Sequence, residues 1–278
     1  MLRALQGFLG IRDDGLYQLQ EAPHGLASRK NIRTGQKIMK IPRRCLIEAS
    51  TLPFQNDDVE VNSRLALFLA REAQDKKSRW KPYLDSMPTK KDLLGHPMFL
   101  QGDDARALKE TSVGKGALGN IFRYMESILR DHQTLLKKKR RLGFVPDWED
   151  FLYYRILVSS RNFGYRRNGI DESGMVPYAD LLNHSFKPNT VWYFDDASDC
   201  FVVEATEPIP AGKQIYDSYG QKPNNELFLY YGFTLPDNPN RIDHFNLDDS
   251  RKARRRKQAW LKKTRDPNVR RLLTEELG

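Results

Sequence analysis

Several short stretches of the chain carry side chains whose types and spacing can do chemistry. The first is Asp180-Leu181-Leu182-Asn183-His184-Ser185. An amide and an imidazole at the end of a buried segment can read the hydrogen-bonding edge of an adenine. The same triplet can also do no more than close a turn, because such side chains satisfy nearby backbone groups. The second is Ile215-Tyr216-Asp217-Ser218-Tyr219-Gly220. A strand that ends on Tyr-Gly can present a phenol beside backbone carbonyls, although two aromatics at a strand end are also ordinary core packing. The third is Asn224-Asn225-Glu226-Leu227-Phe228-Leu229-Tyr230-Tyr231-Gly232-Phe233, an amphipathic helix docked by aromatics, where docking and site-building coexist.

These stretches need elements to position them. The N-terminal part reads as strands and turns: weak alternation over 15–19, a turn at Pro23-His24-Gly25-Leu26, and a strand from Gln36 to Ile41 stopped by Pro42. The period then changes. Residues 62–72 read as a helix capped by Asn62 or Ser63, Tyr124 to Lys137 has helical spacing, and Trp148 to Ser159 is a helix apolar on most sides. Between them, Trp80 to Pro88 is a link punctuated by aromatics and prolines. Strands return at Thr190–Phe194 and Phe201–Ala205, paired across an Asp-rich turn, and at Lys213–Tyr216. Asn225 to Tyr231 reads as a short helix ended by Gly232. Arg251 to Lys263 reads as a basic helix, and Asp266-Pro267 caps a second short one. Strands, then helices, then strands predict an α+β, β-rich domain with a helical insert.

Composition narrows the class. With 39% hydrophobic and 11% aromatic residues, the 278-residue chain can bury a sizeable core. No apolar run approaches membrane-spanning length, so no membrane association is expected. The first residues lack the cleavage-site pattern of a signal peptide, which predicts an intracellular protein, cytoplasmic with organelle or nucleus open. Two cysteines, Cys45 and Cys200, exclude a disulfide framework and a cysteine zinc cluster. The five histidines show no ligand spacing, so no metal is expected. The net charge of +10 is uneven. Residues 251–265 and the run Lys137-Lys138-Lys139-Arg140-Arg141 are strongly basic. Such runs can suit nucleic acid, an acidic protein or a membrane surface, but without another nucleic-acid motif a solvated helix face is the plainer reading.

The order of motifs is more specific than any one of them. A Gly-Leu turn, Ser160-Arg161-Asn162-Phe163, Asn183-His184-Ser185, Tyr219-Gly220 and Tyr231-Gly232-Phe233 follow one another as in the SET-domain methyltransferases. The chain resembles the Rubisco large-subunit lysine methyltransferase branch, also through Gly35 to Pro42 and Trp80 to Pro88. The likeness covers roughly residues 15 to 240. It implies small curved sheets with a knot-like crossing near Asn183-His184, an exception to the rule against threaded chains. It also implies a SET domain split as 1–59 and 149–236 by a helical insert at 60–148, with a short basic helical tail at 237–278. Related enzymes usually continue into a large helical substrate domain, which here looks truncated.

The resemblance implies S-adenosylmethionine as cofactor, with S-adenosylhomocysteine as product. Its binding would fall to the backbone at His24, Gly25 and Leu26, joined by Arg161, Phe163, Asp180, Asn183, His184, Tyr219 and Phe233. Tyr219 would be the central catalytic phenol and Tyr231 the second. Pro23-His24-Gly25 departs from the family's Gly-Arg-Gly turn, which puts the local contact in doubt. The expected partner is a protein bearing a target lysine, non-histone rather than histone. Protein-histidine methylation is the first alternative; relatives that do it alter the tyrosine before Gly-Phe, and Tyr231 is present. The second is a non-catalytic SET-like module that binds through residues 251–265.

Overall fold

The computed structural model describes residues 7–8, 17–20, 25–55, 58–100 and 112–240, the side chains of 17–20 and 112–118 excepted. His24, residues 251–265 and the helices expected in the tail lie outside the described residues. The contacts divide the chain into two units. One holds the described residues up to Pro88 with Ile128–Gln221; the other holds Thr89–Ser127 and the described residues from Lys222 on.

The first unit carries three small sheets. In one, β1 (Tyr17–Gln20) pairs antiparallel with β2 (Gly25–Ser28). β2 pairs antiparallel with β10 (Gln214–Asp217), and β10 runs parallel to the two-residue β7 (Asn183–His184). The turn expected at 23–26 is therefore strand from Gly25 on. β2 is hydrogen-bonded on both sides and buried along its length, so it shows no alternation to betray it. The second sheet holds β3 (Lys37–Pro42), β9 (Cys200–Ala205) and β8 (Thr190–Asp195), with β8 and β9 paired across the turn that the sequence predicts. The third holds β4 (Ile47–Glu48), β6 (Ile170–Met175) and β5 (Asn162–Arg167). Asn168 and Gly169, with φ of 49° and 77°, turn β5 into β6. Both central residues sit at positive φ, the demand that Asn-Gly meets in two-residue hairpins.

Helices α1 (Val61–Gln74) and α5 (Trp148–Arg161) pack against each other in this unit. Asp147 caps α5 by accepting the Asp150 amide at 2.9 Å, and Glu149 and Asp150 complement the helix dipole. The cap expected at Asn62 or Ser63 is not there. α1 starts after Glu60, and those two side chains take tertiary partners instead. Ser63 accepts the Arg155 Nε at 3.0 Å and Asn62 accepts the Asn162 amide at 2.9 Å. Arg155, 2% exposed, also reaches Glu60 at 2.8 Å, so a buried charge ties the two helices. The link after α1 contains a one-turn helix, α2 (Lys81–Leu84), with Pro82 in its first turn. Helix α3 (Ser112–Lys137) starts twelve residues before the periodic signal; Gly114, Gly116 and Gly119 dilute that signal and each weakens a helix by roughly 1 kcal/mol. α4 (Lys139–Leu142) carries the basic run.

In the second unit, helix α6 (Asn224–Tyr231) ends at Gly232, whose φ of 79° is the left-handed C-cap geometry. Among the described residues no helix is long and apolar enough to cross a membrane.

Candidate active site

The site in the first unit is built where β2, β7 and β10 meet. Gly25 is needed there for close approach: a Cβ would lie 2.4 Å from Gln214 Nε2 and 2.6 Å from Asn183 Nδ2. Strand β10 is held in place by Asn189, whose Nδ2 donates to Gln214 O at 3.0 Å and whose Oδ1 accepts the Tyr216 amide at 2.8 Å. Thr190 adds a hydroxyl donation to Tyr216 O at 2.6 Å.

The segment into β7 begins under strain. Tyr178 is fully buried with φ 80°, in a region that a bulky residue occupies at a cost of about 1–3 kcal/mol. The chain then makes one 3-10 turn, Ala179–Leu181, and delivers Leu182, Asn183 and His184. His184 Nδ1 accepts the Tyr219 amide at 3.0 Å, which leaves Nδ1 unprotonated and puts the ring proton on Nε2. The imidazole stacks on the Tyr219 ring at 5.1 Å and 25°, and Phe186 meets it edge-on at 4.6 Å. The Tyr219 hydroxyl donates to Leu182 O at 2.6 Å. Its oxygen lone pairs are thus kept as acceptors, and its ring is braced on one face.

Arg161, at the end of α5, donates from one terminal guanidinium nitrogen to Asp180 O at 2.9 Å and lies 3.4 Å from Asp180 Oδ2. Tyr83 donates to the same carboxylate oxygen at 2.8 Å. Burial pushes the Asp180 carboxyl above the usual carboxylate range, opposed by Arg161 and by the Tyr83 hydrogen bond. Burial works against the charge of Arg161, but Asp180, Tyr83 and Tyr219 outweigh it and raise its pKa.

The first unit therefore links Gly25 to Asn183, His184 and Leu182 to Tyr219, and Arg161 to Asp180. Two expected residues are core in character. Leu26 is 0% exposed, and the Phe163 ring is edge-on to Trp192 at 5.4 Å and to Phe201 at 5.3 Å. Tyr231 and Phe233 belong to the second unit, their ring centroids 6.2 Å apart. There the Asn224 side chain clamps the backbone of Leu235 in both directions, at 2.8 and 3.0 Å. A Cβ at Gly232 would lie 3.0 Å from the His96 ring. The roles of Tyr83, Asn189, Gln214 and His96 escaped sequence reasoning. Each lies in a stretch without a chemical motif, and only a polar residue at an otherwise apolar or strand position could have flagged it.

Three small sheets, one of them joining β2, β10 and β7 around a phenol and an imidazole, define an α+β fold of separate small sheets. The chain belongs to the SET-domain family: the SET domain model matches residues 24–220. It is 27% identical over 241 residues to "N-lysine methyltransferase SETD6" of Homo sapiens, covering 77% of this chain and 49% of that protein. It is 28% identical over 233 residues to "[Fructose-bisphosphate aldolase]-lysine N-methyltransferase, chloroplastic" of Arabidopsis thaliana, covering 78% and 47%. The fold matches the crystal structure of the SET domain of LSMT bound to lysine and AdoHcy with a TM-score of 0.68 at 24% identity, over 85% of this chain and 58% of that one. The chain thus spans about half the length of these curated relatives.

Proposed function

We propose that this chain is an S-adenosylmethionine-dependent protein-lysine N-methyltransferase acting on a non-histone protein. The observation that carries the reading is the bracing of Tyr219, whose hydroxyl is spent as a donor on Leu182 O while His184 holds both its amide and its ring. The chain's own residues fit the methyl donor. Gly25 lets the Gln214 and Asn183 amides come against the β2 backbone, where any Cβ would clash with them. Gln214 Nε2 and Arg161 Nε are buried donors with no hydrogen-bond partner among the described residues. Gly25, Asn183, His184 and Arg161 would hold the donor, with Asp180 and Phe163 in support. When bound, it supplies a methyl group on a positively charged sulfur.

The residues then serve positioning. A lysine amine has a reference pKa of about 10.4 and must shed its proton before it can attack. The Tyr219 oxygen accepts a hydrogen bond from that amine and aligns its lone pair, which is catalysis by orientation. A phenol with a reference pKa of about 10 is a poor base at neutral pH, so the proton leaves through water. Lysine is favoured over histidine as target because Tyr231 is retained. Transfer of a labelled methyl group into a cell lysate, followed by amino-acid analysis of the labelled protein, tests this. Methyl-lysine is the expected product; label in methyl-histidine, or no transfer by a protein that binds the donor, overturns the reading.

A further inference from the structure

One residue of the stretch Trp80–Pro88 reaches the site. Tyr83 is 0% exposed, and its hydroxyl ends 2.8 Å from Asp180 Oδ2. We propose that Tyr83 is a positioning residue of the methyl-donor site: its hydroxyl orients the Asp180 carboxylate, which in turn sets Arg161. The proposal rests on the functional reading above and deepens it.

The distances decide which partner orients the carboxylate. Arg161 stands 3.4 Å from Oδ2, long for a charge-assisted hydrogen bond, whereas its 2.9 Å contact is to the Asp180 main-chain oxygen. The short contact to the carboxylate comes from Tyr83. Arg161 is therefore held by one residue twice, through a carbonyl fixed by the backbone and a carboxylate aimed by a phenol. The side chain of Asp180 is 1% exposed, so water does not substitute for a lost partner. The consequence reaches further along the chain. Asp180 lies in the 3-10 turn that leads directly to Leu182, whose carbonyl accepts the Tyr219 hydroxyl, and to Asn183-His184.

A purely structural tyrosine and a positioning one differ in pH behaviour. The groups facing Asp180 are Tyr83, Arg161 and the main chain at Tyr178, and Arg161 also feels Tyr219. Burial already favours the neutral acid, and the Tyr83 hydrogen bond opposes it. Removing the hydroxyl lets Asp180 take up a proton at higher pH and release its hold on the Arg161 side chain.

The test is calorimetric titration of the full chain with S-adenosylhomocysteine between about pH 5 and about pH 8, beside thermal melts. Tyr83→Phe is expected to weaken binding roughly fivefold or more at neutral pH, the worth of one buried hydrogen bond. The pH below which binding fades should also move up. Asp180→Asn should abolish that pH dependence, and adding Tyr83→Phe to it should cost little more, because the two act through one contact. Should Tyr83→Phe not fold, 3-fluorotyrosine at position 83 is isosteric and a stronger donor, and is expected to move the pH midpoint down. A folded Tyr83→Phe protein with wild-type affinity and an unmoved midpoint overturns the proposal, as does an unmoved midpoint with fluorotyrosine. A wild-type chain that binds no S-adenosylhomocysteine at any pH sinks the methyltransferase reading and this proposal together.

Discussion

Replacing Tyr219 by Phe removes one hydroxyl and leaves the ring. The ring's stack on His184 at 5.1 Å and the backbone amide donation to His184 Nδ1 at 3.0 Å both survive the change. What is lost is the 2.6 Å donation to Leu182 O. A hydrogen bond of this kind contributes about 0.5–1.5 kcal/mol to stability, which in a chain of this size lowers Tm by roughly 2–5 °C. The effect on turnover should be larger than the effect on folding. The hydroxyl oxygen is the group argued to align the attacking amine, so its loss falls on the transition state and not on donor binding. Turnover should drop at least about tenfold, which corresponds to roughly 1.4 kcal/mol in the barrier, while the Kd for S-adenosylmethionine stays within about twofold. Single-turnover methyl transfer beside calorimetry separates the two quantities. Near wild-type turnover in a well-folded Tyr219→Phe protein would refute the role of this phenol, and with it most of the proposed mechanism.

Other outcomes follow from the same geometry. Gly25→Ala would bring a Cβ to 2.4 Å from Gln214 Nε2 and 2.6 Å from Asn183 Nδ2. It should cost donor affinity at least about tenfold while the free energy of unfolding falls by only about 1–3 kcal/mol, as with overpacking; calorimetry and chemical denaturation check both. Asp217 is pushed up to about 6 by burial, against the Ser218 amide and the Trp192 side chain. Its unfolded value is near ~3.9, so the native state keeps a proton that the unfolded state releases, and stability falls as pH rises through that window. Asp217→Asn should flatten this decline and raise stability at pH 7 by up to about 3 kcal/mol; melts from about pH 4 to about pH 7 that keep their slope would contradict it. His96 shows the opposite sign. Burial lowers it to about 4, against a backbone contact at Tyr230. Below its ordinary ~6.5 the unfolded chain takes up a proton that the native chain refuses, so stability is lost as pH falls from there toward about 4. His96→Gln should remove that acid loss, and an acid limb identical to wild type in melting experiments would count against the assignment.

Much of the scaffold was legible before any coordinates. The Asp-rich turn predicts the β8–β9 pairing and the apolar run from Trp148 predicts α5, whereas the Asn168-Gly169 hairpin and the Asp147 cap, both set by local rules, were missed. Other features were hidden because they depend on distant partners. β2 is buried on both faces and has no alternation, and Ser63 looked like a cap until Arg155 claimed it from another helix.

The site divides along the same line. Motif order, and the family resemblance it carries, was sufficient to name Asn183, His184, Tyr219, Tyr231 and Phe233 as candidates, because the motifs are short contiguous stretches. What each side chain does was decided only by tertiary structure. His184 braces Tyr219 across 35 residues of sequence, and Tyr83 reaches Asp180 across 97. Gly25 is compelled to be glycine by an Asn and a Gln that lie more than 150 positions away. Such relations are set by which strands pair and which helix ends meet. No local propensity encodes them, since a hydrogen bond or a steric limit between distant residues exists only once the chain has folded.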